Sequence, residues 1–218
     1  MIGSLSSSSG RNRSCKRLPF TIPTATGSWT ICGFTGTIAR AQVRTDYELF
    51  SLKCLKGCPN YDQKHSCPPR SPSFDTFPPH KPWLHVICLR MGLDQFPFFN
   101  NPYHRVRMAN AMLKPRLTRI LMQWKSLNPR DSVLGSGACR ACRRCAALDQ
   151  LPCRKPAKGL YSLEATGVNC AHLVKTCFGL DLEWYLPGRP CSHGLVVGGI
   201  LSERQRMSSL SELIVASI

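Results

Sequence analysis

Hydrophobic residues recur at helical spacing over one long segment of the chain, residues 103–125. An apolar side chain returns there at every third or fourth position, which is the spacing of one helical face. These residues are Val106, Ala109, Leu113, Leu117, Ile120, Leu121 and Trp124. The pattern predicts the longest helix of the chain, with a kink at Pro115 because proline removes a backbone hydrogen bond.

Two shorter helical segments are predicted nearer the C-terminus, from the residues that can cap them. Asn169 is placed to cap the start of a short helix, and Gly179 is placed to end it. Ser209 and Glu212 have the spacing of a capping box, in which a hydroxyl and a carboxyl bind backbone amides at a helix start. We therefore expect a short helix between Asn169 and Gly179, and a last helical turn at the chain end.

Four short segments have the patterns of β-strands. Residues 37–44 are a strand candidate, and residues 84–90 form a mostly apolar run that suits a buried strand. Residues 180–184 alternate between apolar and acidic side chains, as on a half-buried strand. After a turn at residues 187–188, residues 194–201 are expected to return and pair with that strand.

A chain of 218 residues is long enough for one domain with a real core and too short for two large ones. The elements predict an α+β fold, in which a small mixed β-sheet packs against the long helix and the later short helix. The cysteine-rich loops are expected at one end of it. We expect the domain to span residues 36–203, followed by a tail over residues 204–218 that could be helical.

The first 35 residues are predicted to form a poorly ordered tail. No acidic residue precedes Asp46, and the basic residues there are scattered among serines, glycines and threonines, with little apolar surface to bury. An organellar transit peptide would have the same character, and so would a stretch translated from a misplaced start codon. The sequence leaves these interpretations open.

Neither an export signal nor a membrane span is indicated by the hydrophobic pattern. The first thirty residues lack a continuous apolar region. The longest apolar stretch, residues 194–201, is far shorter than the roughly 20 residues that cross a bilayer. We therefore expect a soluble, cytoplasmic protein. Disulfides are rare in that compartment, so the 13 cysteines indicate metal binding or catalysis.

Four cysteines are close together in the run Cys139, Cys142, Cys145 and Cys153. The first three have the spacing C-x2-C-x2-C and the fourth follows after seven residues, so all four can converge on one centre. Overlapping pairs of this kind favour iron–sulfur binding, whereas zinc sites usually combine two separate C-x2-C pairs. The run therefore predicts an iron–sulfur cluster of the [4Fe-4S] type, with zinc as the alternative.

Basic residues surround this four-cysteine run, and they fit either metal. Nearby positive charge lowers the pKa of thiols and offsets the negative charge of four thiolates. The cations are Arg140, Arg143, Arg144, Arg154, Lys155 and Lys158. Unligated cysteines in such a field would be activated and open to oxidation, which argues against a loop of free thiols.

A second group, Cys54, Cys58 and Cys67, lies in a Cys- and Pro-rich loop predicted over residues 54–82, with His65 nearby. The prolines are expected to prevent regular structure over most of this loop. Three thiolates would leave one position on a metal open to substrate or to a further ligand, as in catalytic sites. The alternative is a proline-rich loop whose cysteines are simply buried.

Both cysteine groups belong to one ordered series of motifs. The series is Val43-Arg44, Cys54, Cys58, Tyr61, Cys67-Pro68-Pro69, Gly135-Ser136-Gly137-Ala138-Cys139-Arg140-Ala141-Cys142, Cys145, Cys153-Arg154, Pro156 and Ser162-Leu163-Glu164-Ala165-Thr166-Gly167. It resembles the domain-of-unknown-function family 2284, described as predicted metal-binding proteins, over roughly residues 40–187. The resemblance implies that both groups belong to the metal centre or centres of that family, and it implies no particular reaction.

Other cysteines and the acid of the last motif have plainer interpretations. Cys88, Cys170 and Cys177 fall at apolar positions, so they are predicted to be buried as small hydrophobic residues. Glu164 lies in the first turn of a possible helix, where a negative charge is favourable. No catalytic base or nucleophile can be identified from the sequence.

Three hypotheses for function follow from these features. In the first, a cytoplasmic iron–sulfur protein transfers electrons with a redox partner protein or supports a redox enzyme. In the second, a zinc-stabilised binding module recognises nucleic acid or an acidic partner through basic residues of the long helix. Nucleic acid is not favoured, because no aromatic stacking platform accompanies the charge. In the third, the group of Cys54, Cys58 and Cys67 transforms a small molecule.

Overall fold

A six-stranded mixed sheet forms the centre of the computed structural model, which describes residues 16–24, 27–189 and 191–217. The strands are β1 (Lys16–Thr24), β2 (Gly27–Ala39), β3 (Trp83–Gly92), β4 (Ser132–Gly135), β5 (Tyr161–Ser162) and β6 (His193–Ser202). Their order across the sheet is β1-β2-β3-β6-β4-β5. β4 and β5 run parallel, whereas the other neighbouring strands are antiparallel.

Helices cover both faces of this sheet. They are α1 (Tyr47–Gly57), α2 (Pro102–Leu127), α3 (Cys170–Phe178) and α4 (Met207–Ser217). Helices α2 and α4 share one apolar core with the sheet, and α3 shares a second core on the opposite face. The predicted α+β fold, a mixed sheet packed against helices, is therefore confirmed. No helix in the described part of the chain is long and apolar enough to cross a membrane.

The long helix α2 buries the apolar row that its sequence predicted. Ala109, Leu113, Leu117, Ile120, Leu121 and Trp124 are all buried against the sheet. Asn101 caps the helix, since its side chain accepts a hydrogen bond from the backbone amide of Tyr103 at 2.9 Å. The helix continues through Pro115, which lies inside it.

Two glycines of β6 let α2 lie directly on the sheet. A methyl group at Gly194 would come within 2.6 Å of the Ala109 Cβ, and one at Gly198 within 3.0 Å of the Leu121 Cδ1. Strand β6 is central, so this close packing also determines where α2 stands relative to the neighbouring strand β4. That position matters because the four-cysteine run follows β4.

The N-terminal part of the described chain differs from the predicted tail over residues 1–35. Residues 16–24 and 27–39 form a hairpin, β1 and β2, whose Ile22, Trp29 and Ile31 are buried in the core beneath α2 and α4. The prolines of this segment lie in β1, an edge strand, where a missing backbone donor is tolerated. The basic, Ser-rich composition obscured the few apolar residues that form the hairpin. Residues 1–15 and 25–26 of the predicted tail lie outside the described residues.

Three further segments differ from their predictions. Helix α1 occupies the start of the loop predicted over residues 54–82, and it has no buried residue, so no apolar face revealed it. Residues 180–184 are not a strand, although Leu180 and Leu182 pack against the core beneath α3. Strand β6 therefore pairs with β3 and β4 instead. The chain end forms the eleven-residue helix α4, longer than the single turn predicted.

The strand predicted over residues 37–44 is only partly present, because β2 ends at Ala39 and a short 3-10 turn follows over residues 40–42. Three other predicted elements are confirmed. Strand β3 contains the apolar run of residues 84–90. Helix α3 begins after Asn169, whose side chain accepts from the His172 amide, and it ends at Gly179 in the left-handed conformation. The turn at Pro187 and Gly188 is closed by a bridge between the residues on either side.

Candidate metal centre

The four predicted cysteines Cys139, Cys142, Cys145 and Cys153 line one cavity of about 110 Å³. This four-cysteine cavity begins just after β4, where the chain leaves the sheet at Gly135. Its other walls are formed by Lys64, His65, Ser66, Ala141, Pro156, Gly159, Leu160 and Tyr161. The structure thus brings together side chains that the sequence spacing predicted would converge.

A distant segment, residues 64–66, closes one side of the four-cysteine cavity. The Cys139 amide donates a hydrogen bond to the Ser66 hydroxyl at 3.0 Å. The His65 ring donates through Nε2 to the Leu151 carbonyl at 2.8 Å. These bonds attach both ends of the four-cysteine run to the loop that carries the other cysteine group. The cavity is therefore a tertiary feature and not a property of the run alone.

An ion pair and a backbone hydrogen bond stabilise the middle of the four-cysteine run. Arg144 makes a two-pronged contact with Asp149, at 2.6 and 2.8 Å. Arg154 donates to the Arg144 carbonyl at 2.7 Å, which draws the segment bearing Cys153 towards the earlier cysteines. All of these groups are on the outside of the protein, so they shape the loop while leaving the thiols on its inner side.

The electrostatic environment of this cavity favours the thiolate form of Cys145. Burial raises the pKa of Cys145, but backbone hydrogen bonds from Ala147 and His65 and the charges of Lys64 and Arg154 lower it more, so the net shift is downward. The six cations predicted around the run are all exposed side chains. Because a thiol must lose its proton to ligate a metal, this environment lowers the cost of metal binding.

The donor set of the four-cysteine run fits a metal centre. Four cysteine sulfurs are a ligand set of both iron–sulfur clusters and structural zinc. The four cysteines surround a cavity several times larger than the space needed for one water molecule. Within the described ranges, no three His, Cys, Asp or Glu side chains stand in an arrangement that could hold a metal ion.

The structure also brings Cys54, Cys58 and Cys67 together. Cys54 lies in α1 and Cys58 directly follows it, while Cys67 is buried in the loop beyond. Burial raises the pKa of Cys67, and the charges of Cys58 and Cys54 raise it further, whereas Ser66 and Lys64 lower it. Burial likewise raises the pKa of Cys54, and the charges of Cys58 and Glu164 raise it further. The three thiols are thus close enough to influence one another.

The start of α1 is attached to the turn that precedes α3, and this places the three-cysteine group. The Asp46 amide donates to the Gly167 carbonyl at 2.7 Å, and Thr45 forms a bridge with Val168. Gly167 has a φ of 89°, and a methyl group there would come within 2.6 Å of the Tyr47 Cα. Glycine is therefore required at this contact, both for its backbone conformation and for its lack of a side chain.

Three residues that the sequence analysis did not connect with metal binding border the three-cysteine group. The Glu164 carboxyl has a buried oxygen, Oε2, with no hydrogen-bond partner among the described residues. Burial raises its pKa, and the neighbouring Ser162, Lys114 and Cys170 act in the opposite direction. Cys170 was predicted to be buried as a small hydrophobic residue, and it is buried, but against this carboxyl. Nothing local in the sequence indicated that Glu164 and Lys114 would meet here.

Ser66 joins the two cysteine groups. Its hydroxyl accepts the hydrogen bond from Cys139 and lies 3.9 Å from the Cys67 sulfur. One residue therefore contacts a cysteine of each group, so the two groups are neighbours in the structure.

Several predicted features lie away from this region. Cys88 and Cys177 are buried, as expected for small hydrophobic residues. Of the cations on α2, Arg105, Arg116 and Lys125 donate to the backbone carbonyls of Phe99, Met112 and Ala157, and Arg107 lies over the Tyr103 ring. This basic face is thus partly engaged within the protein, and its binding of nucleic acid stays a prediction.

Comparison with known proteins gave one match. A family model described as predicted metal-binding protein, DUF2284, matches residues 37–201. Neither the curated proteins nor the solved structures include a significant match to this chain. The matched region contains both cysteine groups and every strand from β3 to β5.

Proposed function

The chain belongs to the DUF2284 family of predicted metal-binding proteins, and on that premise we propose that it is an iron–sulfur protein. Cys139, Cys142, Cys145 and Cys153 would hold a [4Fe-4S] cluster, and the protein would act in electron transfer or as part of a redox enzyme system. The observation that carries this proposal is the convergence of all four cysteines on one cavity.

The size of the cavity supports a cluster over zinc. In a structural zinc site four thiolates surround a single ion, each at about 2.3 Å. Here the cysteines are spread around about 110 Å³ of open space, which a multi-atom cluster would fill. Zinc in the same ligand set is the alternative that the experiment below separates.

The charge around the cavity supports a redox role. The exposed cations beside the cysteines would stabilise the more negative, reduced state of a bound cluster and so raise its reduction potential. The cysteines themselves are half-buried, so an electron-transfer partner could approach from the side that carries these cations. A cytoplasmic location, where such partners and reduced thiols are found, is part of the same proposal.

The three-cysteine group would provide a second ligand set. Cys54, Cys58 and Cys67 offer three thiols, and the carboxyl of Glu164, whose charge acts on Cys54, would be a further oxygen donor. A metal held there would have a ligand set different from that of the four-cysteine cavity. The two sets would then have separate functions, one in redox chemistry and the other at a position open to further ligands.

Metal and acid-labile sulfide analysis of protein purified without oxygen, together with its visible spectrum, tests the proposal. We expect iron, sulfide and a broad visible absorption, all lost in Cys142→Ala. Cys32→Ala is the matched control, because Cys32 lies in β2 away from the cavity, and it should retain all three. Zinc without sulfide in the unaltered protein would contradict the proposal and redirect the search to binding partners.

A further inference from the structure

A second and larger cavity, of about 470 Å³, adjoins the four-cysteine cavity. The two share Cys139, Ala141 and Leu160 as lining residues. One wall comes from α2, and the other from the loop that follows β4. Its volume lies in the range of roughly 300–1,000 Å³ that is typical of sites for small organic ligands. We refer to it as the α2 cavity.

Positive charge dominates the lining of the α2 cavity. Lys114 and Arg119 contribute from α2, Arg140 from the four-cysteine run, and Lys158 from the segment before β5. None of the residues that line this cavity is acidic, and the hydroxyls of Thr118 and Ser136 add neutral hydrogen-bonding groups. Four cations around one concave site create a field that attracts anions.

Lys114 lies close to the loop that forms the opposite wall of this cavity. A methyl group at Gly137 would stand 3.2 Å from the Lys114 Nζ, so the loop backbone passes close to the ammonium group. Gly137 has a φ of 70°, a conformation that glycine adopts without strain. The charges of Glu164 and Cys58 act on Lys114 from the side of the three-cysteine group. Arg119, Arg140 and Lys158 have no such counter-charge among the lining residues.

We propose that the α2 cavity binds a small organic anion that carries a carboxylate or phosphate group. Guanidinium groups suit these anions because their planar donors can engage two oxygens at once, and Arg119 and Arg140 offer two such groups. A ligand bound there would lie against Cys139 and hence beside the proposed metal centre. The proposal concerns binding alone, and it does not depend on which metal the protein holds.

Binding of two probes to the full-length protein, purified without oxygen, tests this proposal. Inorganic phosphate and succinate would be titrated separately, with calorimetry as the readout, so that phosphate and carboxylate recognition are distinguished. We expect saturable binding of at least one probe. Arg119→Gln and Lys158→Gln should each weaken it about tenfold, because each removes a charge-assisted contact.

Arg130→Gln is the matched control. Arg130 is an exposed cation just beyond the end of α2, and it does not line the cavity. Its replacement should leave binding unchanged, although it lowers the net charge of the protein by the same amount. Arg119 and Lys158 are themselves exposed, and unchanged thermal unfolding of the variants would show that their folds are intact.

Two results would overturn the proposal. One is the absence of saturable binding for both probes, and the other is equal weakening by Arg130→Gln and Arg119→Gln, which would reveal nonspecific attraction to a basic protein. The metal analysis in the same preparations is read separately. Loss of the iron–sulfur proposal would therefore leave the result of this experiment interpretable.

Discussion

The two cysteine groups meet at Ser66, yet their surroundings shift the pKa of their thiols in opposite directions. Around the four-cysteine cavity, backbone amides and cations lower the pKa of Cys145 below its ordinary value. In the three-cysteine group, burial and the charges of neighbouring thiols raise the pKa of Cys54 and Cys67. Cys145 is thus prepared to lose its proton before a metal arrives, whereas Cys54 and Cys67 hold their protons more tightly.

This difference shows that cysteines clustered in one protein can differ in how readily they lose the proton that metal binding displaces. Ligation releases the thiol protons, so the affinity of each group for metal depends on pH through the pKa of its thiols. Cys145 should accordingly be deprotonated at a lower pH than Cys54 and Cys67. Four expected outcomes test how far the two groups differ.

Replacing one cysteine in each group should have the largest effect. Cys142→Ala is expected to abolish the metal content of the four-cysteine cavity, and Cys67→Ala is expected to leave that metal and its visible absorption in place. Metal analysis of the two variants after anaerobic purification checks this. Loss of the whole metal complement in Cys67→Ala would show that the two groups form one shared centre.

A methyl group at Gly167 should displace α1 and disturb the three-cysteine group selectively. Gly167→Ala forces a non-glycine residue into the left-handed region, at about 1–2 kcal/mol, and places its Cβ 2.6 Å from the Tyr47 Cα, at roughly a further 1–3 kcal/mol. The free energy of unfolding, measured in urea, gives the sum of these two costs. The four-cysteine cavity should keep its metal in this variant.

Gly179→Ala is the control for that substitution. Gly179 also has a left-handed φ, of 71°, but nothing lies within 4 Å of an added methyl group there. Gly179→Ala should therefore lower the free energy of unfolding only by the cost of the left-handed backbone conformation. Equal destabilisation of the two variants would mean that the contact between Gly167 and Tyr47 does not hold α1 in place.

Removing the Ser66 hydroxyl should affect both groups by a smaller amount. Ser66→Ala leaves the Cys139 amide without its acceptor, which we expect to cost about 1 kcal/mol of stability, and it removes the hydroxyl that lies beside Cys67. Unfolding experiments and the rate of metal release to a chelator measure the effect. Ser73→Ala is a suitable comparison, because its hydroxyl binds only within its own turn. An equal effect of both changes would contradict the linking role of Ser66.

The smallest effect is expected from a single exposed charge. In metal-free protein, alkylation of Cys145 should begin at a lower pH than that of Cys67, because the pKa of Cys145 is lowered and that of Cys67 is raised. Arg154→Gln should move the Cys145 profile to higher pH by less than about one unit, as exposed charges are screened. Mass spectrometry of each thiol gives the profiles. Arg143 is a neighbouring cation that is not among the charges lowering the pKa of Cys145, so Arg143→Gln should leave the alkylation profiles unchanged.

Local patterns predicted those parts of the fold and site whose partners are near in sequence or whose burial is periodic. The apolar row of α2, the run in β3 and the caps of α3 all carried their own signal. The four-cysteine cavity was predictable for the same reason, because its four thiols come from one short run.

The elements that were missed depend on distant contacts. Helix α1 has no buried face, and it is recognisable only by Asp46, which caps its first turn. Glu164 is more than a hundred residues from Cys54, and Lys114 is one of several cations spread along α2. No local pattern brings such residues together. For residues 180–184 a local pattern predicted a strand that does not form. Alternating side chains also occur where a loop lies across an apolar surface.

The strand order has a consequence for when the four-cysteine cavity can be completed during synthesis. Strand β4, which leads into the cysteine run, joins the rest of the sheet through β6, and β6 begins at His193. The cavity wall at residues 64–66 is made before the cysteines, and β6, which connects the two halves of the sheet, is made only after both. We therefore expect metal to be inserted only after β6 has left the ribosome.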